Sequence, residues 1–181
     1  MPRTKPILSK ADAGPDGQVA ADAVLKVFGH IRGPFSVLLH SPALTEKLAP
    51  MVDFVRDETI VEPKLKLVAV LTAARECDAP YVWAAQVQQA RKHKIREDLI
   101  DHIRAQGSPD KLPAEERDIM NYTLQLTRTH RVDASLFNTL RDRHGVKWLV
   151  ELTATLNFFV FVSGIANAFE VDVPEDGDRM K

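Results

Sequence analysis

The side chains best equipped for chemistry cluster between Arg75 and Gln86, where the sequence reads RECDAPYVWAAQ. Cys77 is the single cysteine, so it can close no intramolecular disulfide and form no dithiol pair by itself. Its neighbours Glu76 and Asp78 disfavour a thiolate, while Arg75 favours one. A small packed cysteine is the preferred reading, and a redox-active thiol is the alternative. Asp78 also stands just ahead of Pro80, where a carboxylate can cap a helix start. Tyr81 and Trp83 offer faces for a planar ligand, but residues two apart on a helix point in different directions. At most one of them meets a shared cavity. His40, in the run Leu-Leu-His-Ser-Pro, precedes another helix start; its imidazole either bonds that start or looks into a pocket. Glu151 lies in an apolar run and must be paired, protonated or at a subunit boundary. An ion pair with Arg75, Arg141 or Arg143 is the preferred reading.

His93 falls in a basic helix end and is expected to be solvent-exposed; His30, His102, His130 and His144 have neither a helical i, i+4 partner nor clustered Cys, Asp or Glu, so the sequence predicts no bound metal. No phosphate-binding glycine loop, dinucleotide fingerprint, nucleophile elbow or zinc-helix motif occurs, which leaves a protein without a cofactor. With 24 Lys+Arg against 25 Asp+Glu, nothing favours a polyanion, and nucleic acid is excluded as the expected partner. The lone cysteine points to a reducing, cytoplasmic compartment. No apolar segment follows the basic residues of Met1–Lys10, so no secretory signal is visible. Leu152 to Phe169 runs 18 residues without a formal charge, but Asn157, Ser163 and Asn167 interrupt it. It reads as a buried or subunit-interface helix and not as a membrane span.

These residues must be positioned by helices. No stretch alternates with period two, and apolar residues recur at three and four, so the fold class is all-α with about seven or eight helices. The first ends near Gly29, with Gly29 and Gly33 marking a turn. Ser41-Pro42 starts a helix to about Arg56, with the serine hydroxyl able to cap it. Glu62-Pro63 precedes a helix that is apolar on nearly every side and ends near Cys77. The next runs from Tyr81 to about His93, in a basic end that suits exposed helix carbonyls. A short helix from Glu97, a longer one from Pro113, one from Ala134 to His144 and an apolar one from Lys147 to Phe169 complete the set. Residues 1–15 read as a flexible arm, ordered only if something holds it, 16–175 as one domain, and 176–181 as a tail.

Taken together, Gly33–Phe35, Leu38–Leu44, the helix Leu65–Arg75, Tyr81–Gln86, Pro113–Leu126 and Phe137–Phe159 resemble the carboxymuconolactone decarboxylase and alkylhydroperoxidase-D-like (AhpD-like) family. The resemblance implies an all-helical subunit, a homo-oligomer that is a trimer or hexamer, and a pocket between the buried helix and the one after it. One branch of that family carries Cys-x-x-Cys and a following His. The decarboxylase-like branch carries an acid on the buried helix and Tyr-Glu-Trp-x-x-His. Tyr81 and Trp83 match the second motif, whereas Val82 and Gln86 fall at its acid and its histidine, and Leu67 at the acid of the buried helix. An amide donates and accepts hydrogen bonds but exchanges no proton near neutrality. The resemblance therefore implies a cofactor-independent protein acting on a small carboxylated lactone or aromatic-derived acid. Gln86 would act in catalysis as a fixed donor orienting the substrate, Tyr81, Trp83 and Arg75 would bind the substrate, and Glu76, Asp78 or His40 would have to move the proton. The alternatives are a scaffold that has lost catalysis and binds a ligand or partner, and a one-cysteine peroxidase built on Cys77.

Overall fold

The computed structural model of the chain describes residues 2–181. Among these, nine α-helices and no strand occur: α1 Gln18–Phe28, α2 Pro34–Leu38, α3 Pro42–Asp53, α4 Pro63–Glu76, α5 Pro80–Lys92, α6 Glu97–Arg104, α7 Ala114–Thr129, α8 Ala134–His144 and α9 Val146–Ala168. Helices α2 to α5 each open on a proline in the first turn, whose fixed φ suits the start and whose missing N–H would have had no intrahelical partner. Helix α1 stops where Gly29 turns left-handed (φ 72°) and its N–H bonds the Leu25 carbonyl.

Two elements are too short to register as periodicity. Helix α2 has five residues where the two glycines suggested only a turn, and α3 widens into a π-turn, Phe54–Glu58. The expected caps are also corrected, because neither Ser41 nor Asp78 uses its side chain to cap. The residue flanking α5 is Ala79, and Asp78 occupies the left-handed region at φ 47°. The cause is the tight reversal: the N–H groups of Asp78 and Ala79 bond back to the carbonyls of Arg75 and Ala74, which leaves the Asp78 side chain pointing outward.

Helices α4 and α9 form the centre. α4 packs against α5, α7 and α9, and residues Val68 to Ala74 are all essentially inaccessible. The first half of α9, through Trp148, Leu152 and Leu156, shares a core with α4, α6 and α7. Its second half, through Phe158, Val162 and Ala166, shares another with α1, α2 and α3. α9 is long and apolar enough to cross a membrane by length and composition alone; here one side of it is packed in the core. Glu151 on α9 finds none of the expected arginines. Its carboxylate accepts the Ile60 N–H at 2.8 Å and lies 3.8 Å from Lys147, so it fastens the end of the π-turn. The Ile60 hydrogen bond holds its carboxyl below the ordinary value despite burial.

The two termini are held down. Arg3 N–H bonds the Phe169 carbonyl, Ile7 N–H bonds Ser36, and Ile7 is buried. The segment expected to be a tail folds back over α5 and α6. Asp178 accepts from Trp83 Nε1 at 3.0 Å, Arg104 Nη2 at 2.9 Å and Arg91 Nη2 at 2.8 Å, and Met180 enters the main core.

Candidate functional site

The three-residue reversal between α4 and α5 makes an antiparallel hairpin, so the start of α4 lies beside the end of α5. Each helix presents one stripe to a cavity of about 270 Å³. On α4 the stripe is Pro63, Lys66, Leu67 and Val70, and on α5 it is Val82, Ala85, Gln86 and Gln89, with His93 just past the helix end. These are the i, i+3, i+4, i+7 positions of a single helix face. Phe158, Phe159 and Val162 of α9 close the cavity, with Phe28, Phe35 and Val55 from the α1–α3 side.

The interior is apolar apart from Lys66, Tyr81, Gln86 and Gln89, all half-buried, while exposed His30, Arg32, Arg56 and His93 ring the opening. No Asp or Glu lines this cavity. The π-turn aims Arg56: its guanidinium lies 5.8 Å from the Phe28 ring centroid, donates to the Val27 carbonyl at 2.9 Å, and bonds Asp57 at 2.6 Å. Burial, and then Arg32, push the His30 imidazole below its ordinary pKa. Burial pushes the Tyr81 phenol up, against the pull of Arg32. Tyr81 is also locked from behind. A Cβ on Gly33 would fall 2.2 Å from its ring, and Gly33 stands at φ 63°, so glycine is required there for two reasons.

Of the residues singled out in the sequence, the structure brings Gln86 and Tyr81 together in this cavity, with Leu67 and Val82 in its wall. The others lie elsewhere. Trp83 points to the opposite stripe of α5 with Val87 and Ala90, fully buried in the main core, so it is no stacking face for a ligand. Arg75 and Glu76 belong to the other side of α4. Arg75 donates to the Arg104 carbonyl at 2.8 Å. Glu76 takes a two-point grip from Arg128 at 2.6 and 2.8 Å, which holds its carboxyl below the ordinary range. Asp78 is exposed and paired with Lys181 at 3.0 Å. The His40 ring bonds the Lys5 carbonyl at 2.9 Å and helps to tie down the amino-terminal segment. None of Glu76, Asp78 and His40 reaches the cavity to move a proton there. Cys77 is half-buried outside the cavity lining, and burial together with Glu76 pushes its thiol up.

The residues that sequence reasoning passed over are Lys66, Arg32, Arg56, His30 and His93. His93 carried a signal as part of the basic end of α5, and it does remain exposed; what was missing was the fold that places that end at an opening. No group of His, Cys, Asp and Glu able to hold a metal occurs among the described residues.

No protein-family model and no curated protein matches the chain. A solved structure from Agrobacterium tumefaciens does match: a protein of unknown function, provisionally assigned to AhpD antioxidant defence. The TM-score is 0.69 at 16% identity, over 80% of this chain and 100% of that one. The motifs read from the sequence and this likeness agree, and the chain has the AhpD-like all-helical fold.

Proposed function

We propose that the chain is a cofactor-independent, carboxymuconolactone decarboxylase-like protein that takes a small carboxylated lactone or aromatic-derived acid into the α4–α5–α9 cavity. There it carries out decarboxylation or a related proton transfer. The observation that carries this reading is the lining: apolar walls, an opening ringed by His30, Arg32, Arg56 and His93, and no carboxylate to repel an anion. Such a site suits an apolar body with one anionic end. Gln86 and Tyr81 supply fixed donors for charge developing on the substrate. His93 and His30, the imidazoles of the lining, replace Glu76, Asp78 and His40 as the groups that would move the proton.

A thermal-shift panel of unsaturated lactone acids and aromatic acids tests the reading. At about 100 times its dissociation constant, a ligand stabilises by about 2.7 kcal/mol, or roughly 5 to 10 °C for a chain of this size. Turnover of the hits should fall in Gln86→Ala. A panel without a single shift, or a shift indifferent to Arg32→Ala and Arg56→Ala together, would remove the proposal. A second reading, a ligand-binding scaffold without turnover, is favoured by Leu67, Val82 and Gln86, which put no acid or base at the positions where the resembled family carries them. It predicts binding with no product. The exposed apolar strip of Phe137, Val146, Val150 and Phe161 supports self-association as a trimer or hexamer, and the single free cysteine supports a reducing, cytoplasmic setting.

A further inference from the structure

We propose that Lys66 is a carbonyl-directed nucleophile, its ε-amine forming an imine with a 3-oxo carboxylate bound in the cavity and drawing the electrons released when CO2 leaves. This rests on the cavity being a carboxylate site, and it names the substrate class and the group that acts on it.

Lys66 sits one turn into α4 as the one lysine in the cavity lining, half-buried beside Leu67 and Val70. Its Nζ donates to the Arg56 carbonyl at 2.5 Å, a bond that ties the amine to the π-turn. Among the described residues no carboxylate lies within ion-pair distance of it. Lys64, two residues earlier, points away and reaches Glu116 at 2.8 Å. The contrast follows from helical register, since residues two apart on a helix face different neighbours.

The charged groups around the amine are few. The π-turn brings Arg56 and Asp57, the end of α5 brings His93, and the α1–α2 loop brings His30 and Arg32; α9 offers only Phe158, Phe159 and Val162. Glu62, on the entry to α4, is engaged by Trp148 Nε1 at 2.8 Å. Burial depresses the Lys66 pKa and Asp57 draws it partly back. A partly buried amine in a mostly apolar lining, with no carboxylate at ion-pair distance, is the setting in which a lysine attacks carbonyl carbon.

The steps balance with water and one net proton from solvent. The neutral amine adds to the ketone carbon, and the carbinolamine hydroxyl takes up a proton and leaves as water, giving a protonated imine; that proton returns to solvent when the final hydrolysis restores the neutral amine. The bond to the carboxylate then breaks, CO2 departs, and the electron pair moves into the imine to give an enamine. A proton from His93 is added at carbon, and water releases the ketone and restores the amine. The cavity scale of about 270 Å³, set against roughly 150 Å³ for a cavity that binds benzene, suits a substrate of about ten non-hydrogen atoms, such as an aryl 3-oxo acid.

The test uses the full chain, 3-oxo-3-phenylpropanoate and sodium cyanoborohydride, followed by intact-mass measurement and peptide mapping. A parallel thermal shift uses 3-phenylpropanoate, which has the carboxylate and the ring but no ketone. The expected result is one adduct, on Lys66, with the mass of the decarboxylated ketone less one oxygen. CO2 release above the spontaneous rate should be lost in both Lys66→Arg and Lys66→Met. A stabilising shift with 3-phenylpropanoate but no Lys66 adduct, or an adduct spread over surface lysines, overturns the lysine and leaves the cavity reading standing. No shift and no adduct overturns both. The adduct is mapped on the wild-type chain, so the result holds even if a variant fails to fold.

Discussion

Removing the Asp178 carboxylate should unfasten the carboxy-terminal segment at a calculable loss of stability. Asp178 satisfies the indole N–H of Trp83, a side chain with no exposed surface, at 3.0 Å. In Asp178→Ala that donor is buried without a partner, which by itself costs about 1 to 3 kcal/mol. The bonds from Arg104 and Arg91 add less. Those side chains are 26% and 47% exposed, and Arg91 keeps its fork to Glu97, so solvent and a second partner screen the loss. The expected total is about 2 to 3 kcal/mol, or about 5 to 10 °C in Tm, measured by urea and thermal unfolding. Asp178→Asn keeps an acceptor for Trp83 and should cost about half as much. Burial pushes the Asp178 carboxyl up, but bonds from Trp83, Arg104 and Arg91 outweigh it and hold it below its ordinary value of 3.8. A group depressed in the folded state contributes fully above its unfolded pKa and loses that contribution as pH falls through the folded one. The gap between wild type and Asp178→Ala should therefore be full at pH 7 and narrow as pH falls below about 4, without closing, because a protonated carboxyl, like Asn, still accepts from Trp83. A difference under about 0.5 kcal/mol at pH 7 would be that of an ordinary surface substitution and would refute the reasoning, leaving the segment resting on the protein without holding it.

Gly33→Ala forces a left-handed backbone that costs an L-residue about 1 to 2 kcal/mol, and it drives a methyl group to 2.2 Å from the Tyr81 ring. Tyr81→Ala removes the collision but not the strain, so a double-mutant cycle should give a coupling of about 1 to 2 kcal/mol between the two sites; additive losses would mean that the ring moves aside freely. Cys77 should alkylate slowly with iodoacetamide at pH 7 and faster as pH rises, because burial and then Glu76 raise its thiol pKa. Rapid oxidation of that thiol by hydroperoxide, reversed by an external thiol, would instead revive the one-cysteine peroxidase.

The helices were legible because each carries its own signals: prolines opening α3, α4 and α5, Gly29 closing α1, and apolar residues at three and four throughout. Facing was not. α4 and α5 are buried on more than one side, so their hydrophobic pattern has no preferred stripe, and a turn of about 100° per residue decides which chemistry meets which cavity. Tyr81 and Trp83 separate on this ground, one to the cavity and one to the core. Thr72, Arg75 and Glu76 fall on a stripe that faces α7 and Arg128. The candidates between Arg75 and Gln86 are neighbours in sequence and belong to two different sides of one hairpin. Arg32 and Arg56 were hidden for another reason, since they come from a glycine-flanked loop and a π-turn, neither of which has a hydrophobic period to read.

That same facing gives the absent acid a physical consequence. Leu67 and Lys66 both line the cavity, so an acid at the position of Leu67, as the resembled family carries, would share the cavity wall with the amine. A carboxylate at that range favours the ammonium form and occupies its hydrogen bonds. Leucine does neither. With Leu67 and Val82 in the wall and Gln86 where a histidine would be, the cavity loses its acid–base pair and gains an amine with no side-chain counter-ion. Under the proposal for Lys66, the replacement that removes the acid of the resembled family also leaves the amine without a carboxylate in the same wall, and His93 remains to supply the proton. Leu67→Glu should therefore abolish imine trapping at Lys66 while leaving the cavity's opening unchanged.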